Sequence, residues 1–186
     1  MFTRLDSMIF PDRCEVFHFK ELGKYVYPIM KNASTSIRHE AVNNEHNMRL
    51  LINQMIKNVE EIDIFIREPR SRFISGVETY FNLEAVPSNL DILTLCNLIE
   101  SGIILNRHFS SQLSWILNLL RFANEDIRIH LRHIDAVSEY THLRERKEKI
   151  ELDHSVRERL LISPHLKYQF DLDDVIFNDM VGSSWS

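Results

Sequence analysis

Tyr25-Val-Tyr-Pro-Ile-Met-Lys-Asn-Ala-Ser-Thr-Ser-Ile-Arg38 is the stretch on which the fold turns. Its first part is rich in β-branched and aromatic residues, and Pro28 has to sit near the end of any strand because it has no amide N–H to give. A strand is expected over Lys24 to Ile29. The polar loop Lys31 to Ser36 follows, and Ser34 or Thr35 is placed to cap a helix running to about Asn43. A strand that ends in a lysine- and hydroxyl-rich turn and then opens a helix outlines an anion site. The first amides of a helix lack intrahelical acceptors, and the macrodipole favours negative charge there. Lys31 adds a point charge; Ser34, Thr35 and Ser36 add hydroxyl donors. The G-x-x-x-x-G-K-[ST] spacing of a nucleotide-triphosphate loop is absent, so another phosphate-like ligand is expected.

A second unit of the same kind lies downstream. Ile62 to Ile66 is a short apolar run, consistent with a buried parallel strand. Pro69 suits the first turn of a helix, and Arg70 to Phe81 reads as that helix, with Phe73, Val77, Tyr80 and Phe81 turned inward. Strands alternating with helices argue for an α/β fold with a small central parallel sheet flanked by helices. In such sheets ligands sit at the carboxyl ends of the strands, where both loops fall.

The two loops carry a resemblance. Pro28-Ile-Met-Lys-Asn-Ala-Ser-Thr-Ser36 resembles the 5′-phosphosulfate loop of sulfotransferases that use 3′-phosphoadenosine 5′-phosphosulfate (PAPS). Ile64-Phe-Ile-Arg-Glu-Pro-Arg-Ser-Arg-Phe-Ile-Ser-Gly76 resembles the 3′-phosphate motif of that family, a strand ending in Arg-[Asp/Glu]-Pro with a serine eight residues after the arginine; here these are Arg67 and Ser75. The order of the two motifs matches, and the branch they suggest is the carbohydrate-type one. The resemblance implies a P-loop-like three-layer fold and a single sulfotransferase-like domain over residues 1–186. It implies PAPS as co-substrate, no metal, and transfer of a sulfuryl group to a hydroxyl or amine of a small-molecule or carbohydrate acceptor. The alternatives are a catalytically inactive relative that keeps the nucleotide cradle and, disfavoured by the missing P-loop, a small kinase.

Roles follow from the same resemblance. Lys31 would neutralise the leaving 5′-phosphate. Asn32, Ala33, Ser34, Thr35 and Ser36 would clasp the phosphosulfate, while Arg67 and Ser75 take the 3′-phosphate. Arg72 stands either as a further partner of that phosphate or in an ion pair with Glu68. For the base that takes the acceptor proton there are two candidates. His108, in Asn106-Arg-His-Phe-Ser-Ser-Gln112, matches a His-[Phe/Trp]-x-x-Gln stretch of related carbohydrate enzymes. Glu40 follows the first loop where some members place a glutamate, with His39 and His46 as weaker neighbours. The chain departs from the pattern in two places: many members have glycine where this loop has Ala33 and Ser34, and a tyrosine where this chain has Val77.

Composition fits that reading. With 186 residues, 44% of them hydrophobic and 26% charged, the chain suits one soluble domain large enough to bury a core. A net charge of -5 argues against a general nucleic-acid binder, although Lys31, Arg67, Arg70 and Arg72 form local basic spots. Two cysteines, Cys14 and Cys96, indicate neither a disulfide scaffold nor a zinc cluster. His130 and His133 straddle a strand end without a third ligand at useful spacing. No apolar stretch nears the roughly 20 residues that cross a membrane, and no signal-peptide pattern opens the chain, so no membrane association and a cytoplasmic location are expected. The catalytic domain of a longer enzyme would look the same.

The remaining segments read more simply. Ile9-Phe10 and Glu15 to Phe19 are short strand candidates. Met48, Leu51, Ile52, Met55, Ile56 and Val59 recur at helical spacing, so a second amphipathic helix is expected there. Ser88 or Asn89 is placed to cap a helix carrying Leu90 to Ile99. Leu113 to Phe122 is an apolar segment, Ile127 to Leu131 an edge strand, and Asp135 to Tyr140 a short helix. Arg144 to Arg159 reads as a solvated helix or loop. A last helix is expected after Asp171.

Overall fold

Alternation of apolar side chains within the strands divides the core in two. The computed structural model describes residues 15–51, 56–83, 91–103, 106–141 and 151–183. Its strands are β1 (Glu15–Phe19), β2 (Lys24–Val26), β3 (Met48–Leu51), β4 (Glu61–Ile66) and β5 (Arg128–His133), in the sheet order β3-β1-β2-β4-β5. Ile62, Ile64 and Ile66 of β4 join Val16, Tyr27 and Leu50 in one cluster that also takes Trp115 and Met180. Phe65, one residue out of phase, joins Phe17, Phe19, Ile37 and Tyr140 in another. From Ile62 to Ile66 every residue of β4 is buried, as in a strand covered on both faces, although Asp63 interrupts the apolar run.

The helices are α1 (Ser34–Asn43), α2 (Pro69–Leu83), α3 (Ile92–Glu100), α4 (Gln112–Leu120), α5 (His154–Ile162) and α6 (Pro164–Ser183), with short 3-10 turns at Ile56–Asn58 and Ile134–Glu139. Phe73, Ile74 and Val77 of α2 meet Cys96, Ile99, Leu160 and Phe170 in a third apolar cluster, to which Phe109 and Leu152 add from outside the helices.

Several expectations are corrected here. The fold is α/β, but the sheet is mixed rather than parallel. β2, β4 and β5 are mutually parallel, whereas β1 runs antiparallel to both β2 and β3. The cause is the four-residue link Lys20 to Gly23, too short for a crossover and turned tightly with Gly23 at φ 61°. Met48 to Leu51 is an edge strand and not the start of a helix, because Val16 and Phe17 offer it a ladder; Ile56–Asn58 is a single 3-10 turn. α3 is capped by Asp91, whose carboxylate accepts the Thr94 N–H at 2.8 Å; Ser88 and Asn89 lie outside the described residues, as do Ile9 and Phe10. α6 begins at Pro164, ahead of Asp171. The charged run is only partly solvated: Leu152 and Val156 are buried, and Arg157 reaches the buried Glu78 at 2.7 Å. Residues 142–150 of that run lie outside the described set. β5 does form a sheet edge, with its side chains half-buried or exposed.

Candidate functional site

β2 and β4 are adjacent and parallel, so the loops that follow them emerge side by side. In the first loop the Asn32 N–H closes a turn onto the Ile29 carbonyl at 3.1 Å. Lys31 and Ala33 both take left-handed backbone conformations, with φ of 69° and 58°. Each such conformation costs a residue with a β-carbon roughly 1–2 kcal/mol. Left-handed residues alternating with ordinary ones make successive amides converge into a concave nest for an anion. Ala33 is the N-cap of α1 and has no oxygen with which to cap it. The expected capping by Ser34 or Thr35 is therefore corrected, since both lie inside the helix. Their amides stand ahead of the first i to i−4 bond, which runs from the Ile37 N–H to the Ala33 carbonyl. Thr35 is exposed, Ser34 half-buried and Ser36 buried.

Lys31 leans away from the loop toward α2. Its ammonium donates to Thr79 Oγ1 at 2.5 Å, and that hydroxyl donates to the Ser75 carbonyl at 2.8 Å. Lys31 thus reaches α2 at Thr79, one turn beyond Ser75. Ser75 is 7% exposed, in the second turn of that helix.

The second loop is Arg67-Glu68-Pro69. Glu68 accepts the amides of Arg70 and Ser71 at 3.0 and 2.6 Å, which caps α2. Burial pushes the Glu68 carboxyl up, but these bonds and the Arg70 charge outweigh it and hold the group below the usual range. Among the described residues the Arg67 guanidinium has no hydrogen bond or ion pair. Arg72 behaves otherwise. It is 1% exposed and donates to the Met30 carbonyl at 3.1 Å and the Ser110 carbonyl at 2.5 Å, so it ties the first loop to the 106–111 loop. The expected pairing of Arg72 with Glu68 is not what its side chain does. Burial lowers the Arg72 pKa to about 10, and one buried guanidinium nitrogen has no hydrogen-bond partner among the described residues.

A residue without an assigned role holds the loops together. Gln112, the last residue of Asn106 to Gln112, is fully buried. Its Oε1 accepts from Asn32 Nδ2 at 2.6 Å and from the Arg67 N–H at 3.0 Å, while its Nε2 donates to the Arg67 carbonyl at 2.9 Å. Asn32 donates a second bond to the Phe65 carbonyl at 2.7 Å. The Asn32 side chain is thus a tie between strands, and its amide is spent within the loop. Gln112 is in turn held by α6: Asp173 accepts the Gln112 N–H at 2.9 Å and the Leu113 N–H at 3.1 Å. The only sequence signal for Gln112 was its place at the end of the histidine stretch; Asp173 gave none.

The two candidate bases differ in surroundings. His108 is 8% exposed, and its Nδ1 lies 2.6 Å from Asn106 Oδ1. Its backbone presses against α2 at Gly76. Glu40 is half-buried in the second turn of α1. His39 pairs with Asn43, and His46 is exposed. A cleft runs beside the first loop, between its residues Pro28, Met30 and Ser34 and the side chains of Arg38, Arg107 and Trp115. Away from the loops, His130 contacts Glu61 and His133 contacts Asp135, and among the described residues no group of His, Cys, Asp or Glu is placed to hold a metal. None of the described helices is long and apolar enough to cross a membrane.

No family model, curated protein or solved structure matches the chain.

Proposed function

We propose that the chain is a PAPS-dependent sulfotransferase. The observation that carries the reading is the pairing of two strand-to-helix turns on neighbouring parallel strands, one with left-handed Lys31 and Ala33 ahead of the α1 amides, the other starting at Arg67 with its guanidinium unengaged among the described residues. A nucleotide with phosphates at both ends of its ribose fits such a pair. The amides at the head of α1 and Lys31 would hold the 5′-phosphosulfate, and Arg67 with Ser75 the 3′-phosphate. On transfer the bond between sulfur and the bridging phosphate oxygen breaks, and a bond from sulfur to the acceptor oxygen or nitrogen forms. The leaving oxygen takes the electron pair on 3′-phosphoadenosine 5′-phosphate (PAP), where Lys31 and the amides meet the developing charge. The acceptor proton passes to Glu40 or His108. The acceptor, a small molecule or a carbohydrate, would enter by the cleft beside Ser34.

One observation favours the inactive reading. His108 is buried and already bonded to Asn106, so as it stands it is poorly placed to take a proton from an incoming hydroxyl.

Calorimetric titration with PAP, adenosine 5′-phosphate and ATP tests the cradle. Preference for PAP, weakened at least tenfold by Lys31→Ala and by Arg67→Ala, is the expected result. Equal binding of all three nucleotides would sink the assignment. Consumption of PAPS with hydroxyl and amine acceptors, lost in Glu40→Gln or His108→Gln, then separates an enzyme from a binding protein.

A further inference from the structure

We infer that Gln112 is a positioning residue that sets the spacing between the two phosphate-holding loops, and that Asp173 of the C-terminal helix α6 holds it in place. The inference rests on the PAP-binding reading above but concerns different residues. A glutamine amide has one acceptor oxygen and one donor nitrogen, and both ends are used here between the loops. The oxygen takes Asn32 of the first loop and the Arg67 amide of the second at once, and the nitrogen closes a two-bond ring with the Arg67 backbone. The same residue therefore fixes the backbone of Arg67, whose guanidinium is unengaged among the described residues, and the residue next to Lys31. Gln112 and Asn32 are fully buried and Arg67 half-buried, so water competes little for the bond between the two amides.

Asp173 adds what a glutamine side chain cannot do for itself. It is 2% exposed and meets the first two amides of α4, Gln112 and Leu113. A carboxylate at a helix start opposes the positive end of the dipole and fixes the angle at which Gln112 leaves the helix. Burial pushes the Asp173 carboxyl up, while those two amides and the nearby Arg72 charge pull it back toward the ionised form that can accept both. Arg72 closes the arrangement from the other side, through the Met30 and Ser110 carbonyls. The Gln112 side chain thus joins the two loops, its backbone amide ties that joint to α6, and Arg72 adds the 106–111 segment.

A ligand that spans both loops feels their spacing; one that uses only the first loop does not. The test compares PAP with adenosine 5′-phosphate in Gln112→Met and Asp173→Asn, at a temperature well below each variant's melting point. The expected result is about a tenfold or larger loss of PAP affinity with adenosine 5′-phosphate changed much less, in keeping with the loss of buried hydrogen bonds. Gln112→Met combined with Arg67→Ala should lose less than the two single changes together. Unchanged PAP affinity in a variant that merely melts earlier would overturn the inference and leave Gln112 as core packing. So would equal losses for the two nucleotides.

A second measurement keeps the two proposals apart. Amide hydrogen exchange on the nucleotide-free protein should quicken in both 29–36 and 66–69 in Gln112→Met. Protection unchanged in either loop would overturn the clasp even where PAP binds. Wild-type protein that shows the clasp yet does not prefer PAP would sink the sulfotransferase reading, and with it the positioning role.

Discussion

The α-carbon of Gly76 faces the carbonyl of His108 so closely that a β-carbon there would lie 2.2 Å from the oxygen. Helix α2, which carries Ser75 and Thr79, can therefore lie directly on the backbone of the loop that carries His108. Glycine inside a helix is unfavourable by about 1 kcal/mol against alanine, so its presence there marks a packing need rather than a helical one.

Gly76→Ala should accordingly destabilise the protein in spite of the better helix former. Overpacking of this kind costs about 1–3 kcal/mol, and for a chain of this size each kcal/mol lowers the melting temperature by roughly 2–4 °C. Gly182→Ala, in α6 with nothing near its added methyl, is the control and should be neutral or slightly stabilising. Thermal denaturation of both variants reads the difference. A Gly76→Ala protein as stable as wild type would mean that the loop yields.

Ala33 offers a change in the opposite direction. At φ 58° its methyl is strained, and glycine removes that strain. Glycine also gives the unfolded chain more freedom to lose, about 0.5–1 kcal/mol, so the two effects partly offset. The net expectation for Ala33→Gly is neutral to about 1 kcal/mol more stable, with PAP binding kept. Ala33→Val, with a branched side chain in the same conformation, should lose both stability and PAP affinity. A protein unaffected by valine would show that the loop does not need the left-handed turn.

These positions mark the limits of what sequence could reveal. The two loops were legible because each is local: an apolar run, a turn residue and a helix start lie within about a dozen positions, where propensity and capping act. β3 was misread because Met48, Leu51 and Ile52 fit a helical spacing and a short strand equally well, and only pairing with β1 decides between them. β1 falls where a strand was expected, Glu15 to Phe19, but its antiparallel direction was not legible for the same reason. At the candidate site, Lys31 and Ser34 could be named from the strand-loop-helix pattern and Arg67 from the resemblance, but the joints between them could not. Gln112 meets Asn32 across 80 residues and Asp173 across 61. Arg72 was open to a role at the 3′-phosphate or to pairing with Glu68, and its inward turn to the Met30 and Ser110 carbonyls was not legible, since a helix face is assigned only when its neighbours are known.

Cys96 gives a prediction about reactivity. It is fully buried on α3, and burial pushes its thiol up, with the neighbouring Arg159 only partly opposing this. The thiolate, not the thiol, reacts with disulfide reagents. In a Cys14→Ser protein, Cys96 should react slowly with Ellman's reagent near neutral pH and become fully reactive only on denaturation. Fast labelling of the native protein would show that the α3 cluster opens readily.

Tyr140 and Asp63 supply the pH dependence. Asp63 stands in β4 at 2% exposure, on the face of the sheet away from Ile62 and Ile64, and accepts from the Tyr140 hydroxyl and from Arg132 at 3.2 Å. Arg132 also holds Glu139 at 2.7 Å. Burial first, and the hydrogen bond and charge of Asp63 next, push the Tyr140 phenol well above its usual range, with Arg132 opposing in part. The folded protein therefore keeps this proton after the unfolded chain has released it. The contribution is complete below the ordinary tyrosine pKa of about 10 and declines as pH rises above it, because only the unfolded chain gains by ionising. Urea melts between pH 8 and pH 11 should show stability falling at the alkaline end in wild type. Tyr140→Phe removes the donor and leaves one bond fewer to a buried carboxylate, at a cost of about 1–3 kcal/mol near neutral pH. The variant should also lose stability less steeply above pH 10 than wild type does. Parallel curves for the two proteins would show that Tyr140 ionises as freely in the fold as in the open chain.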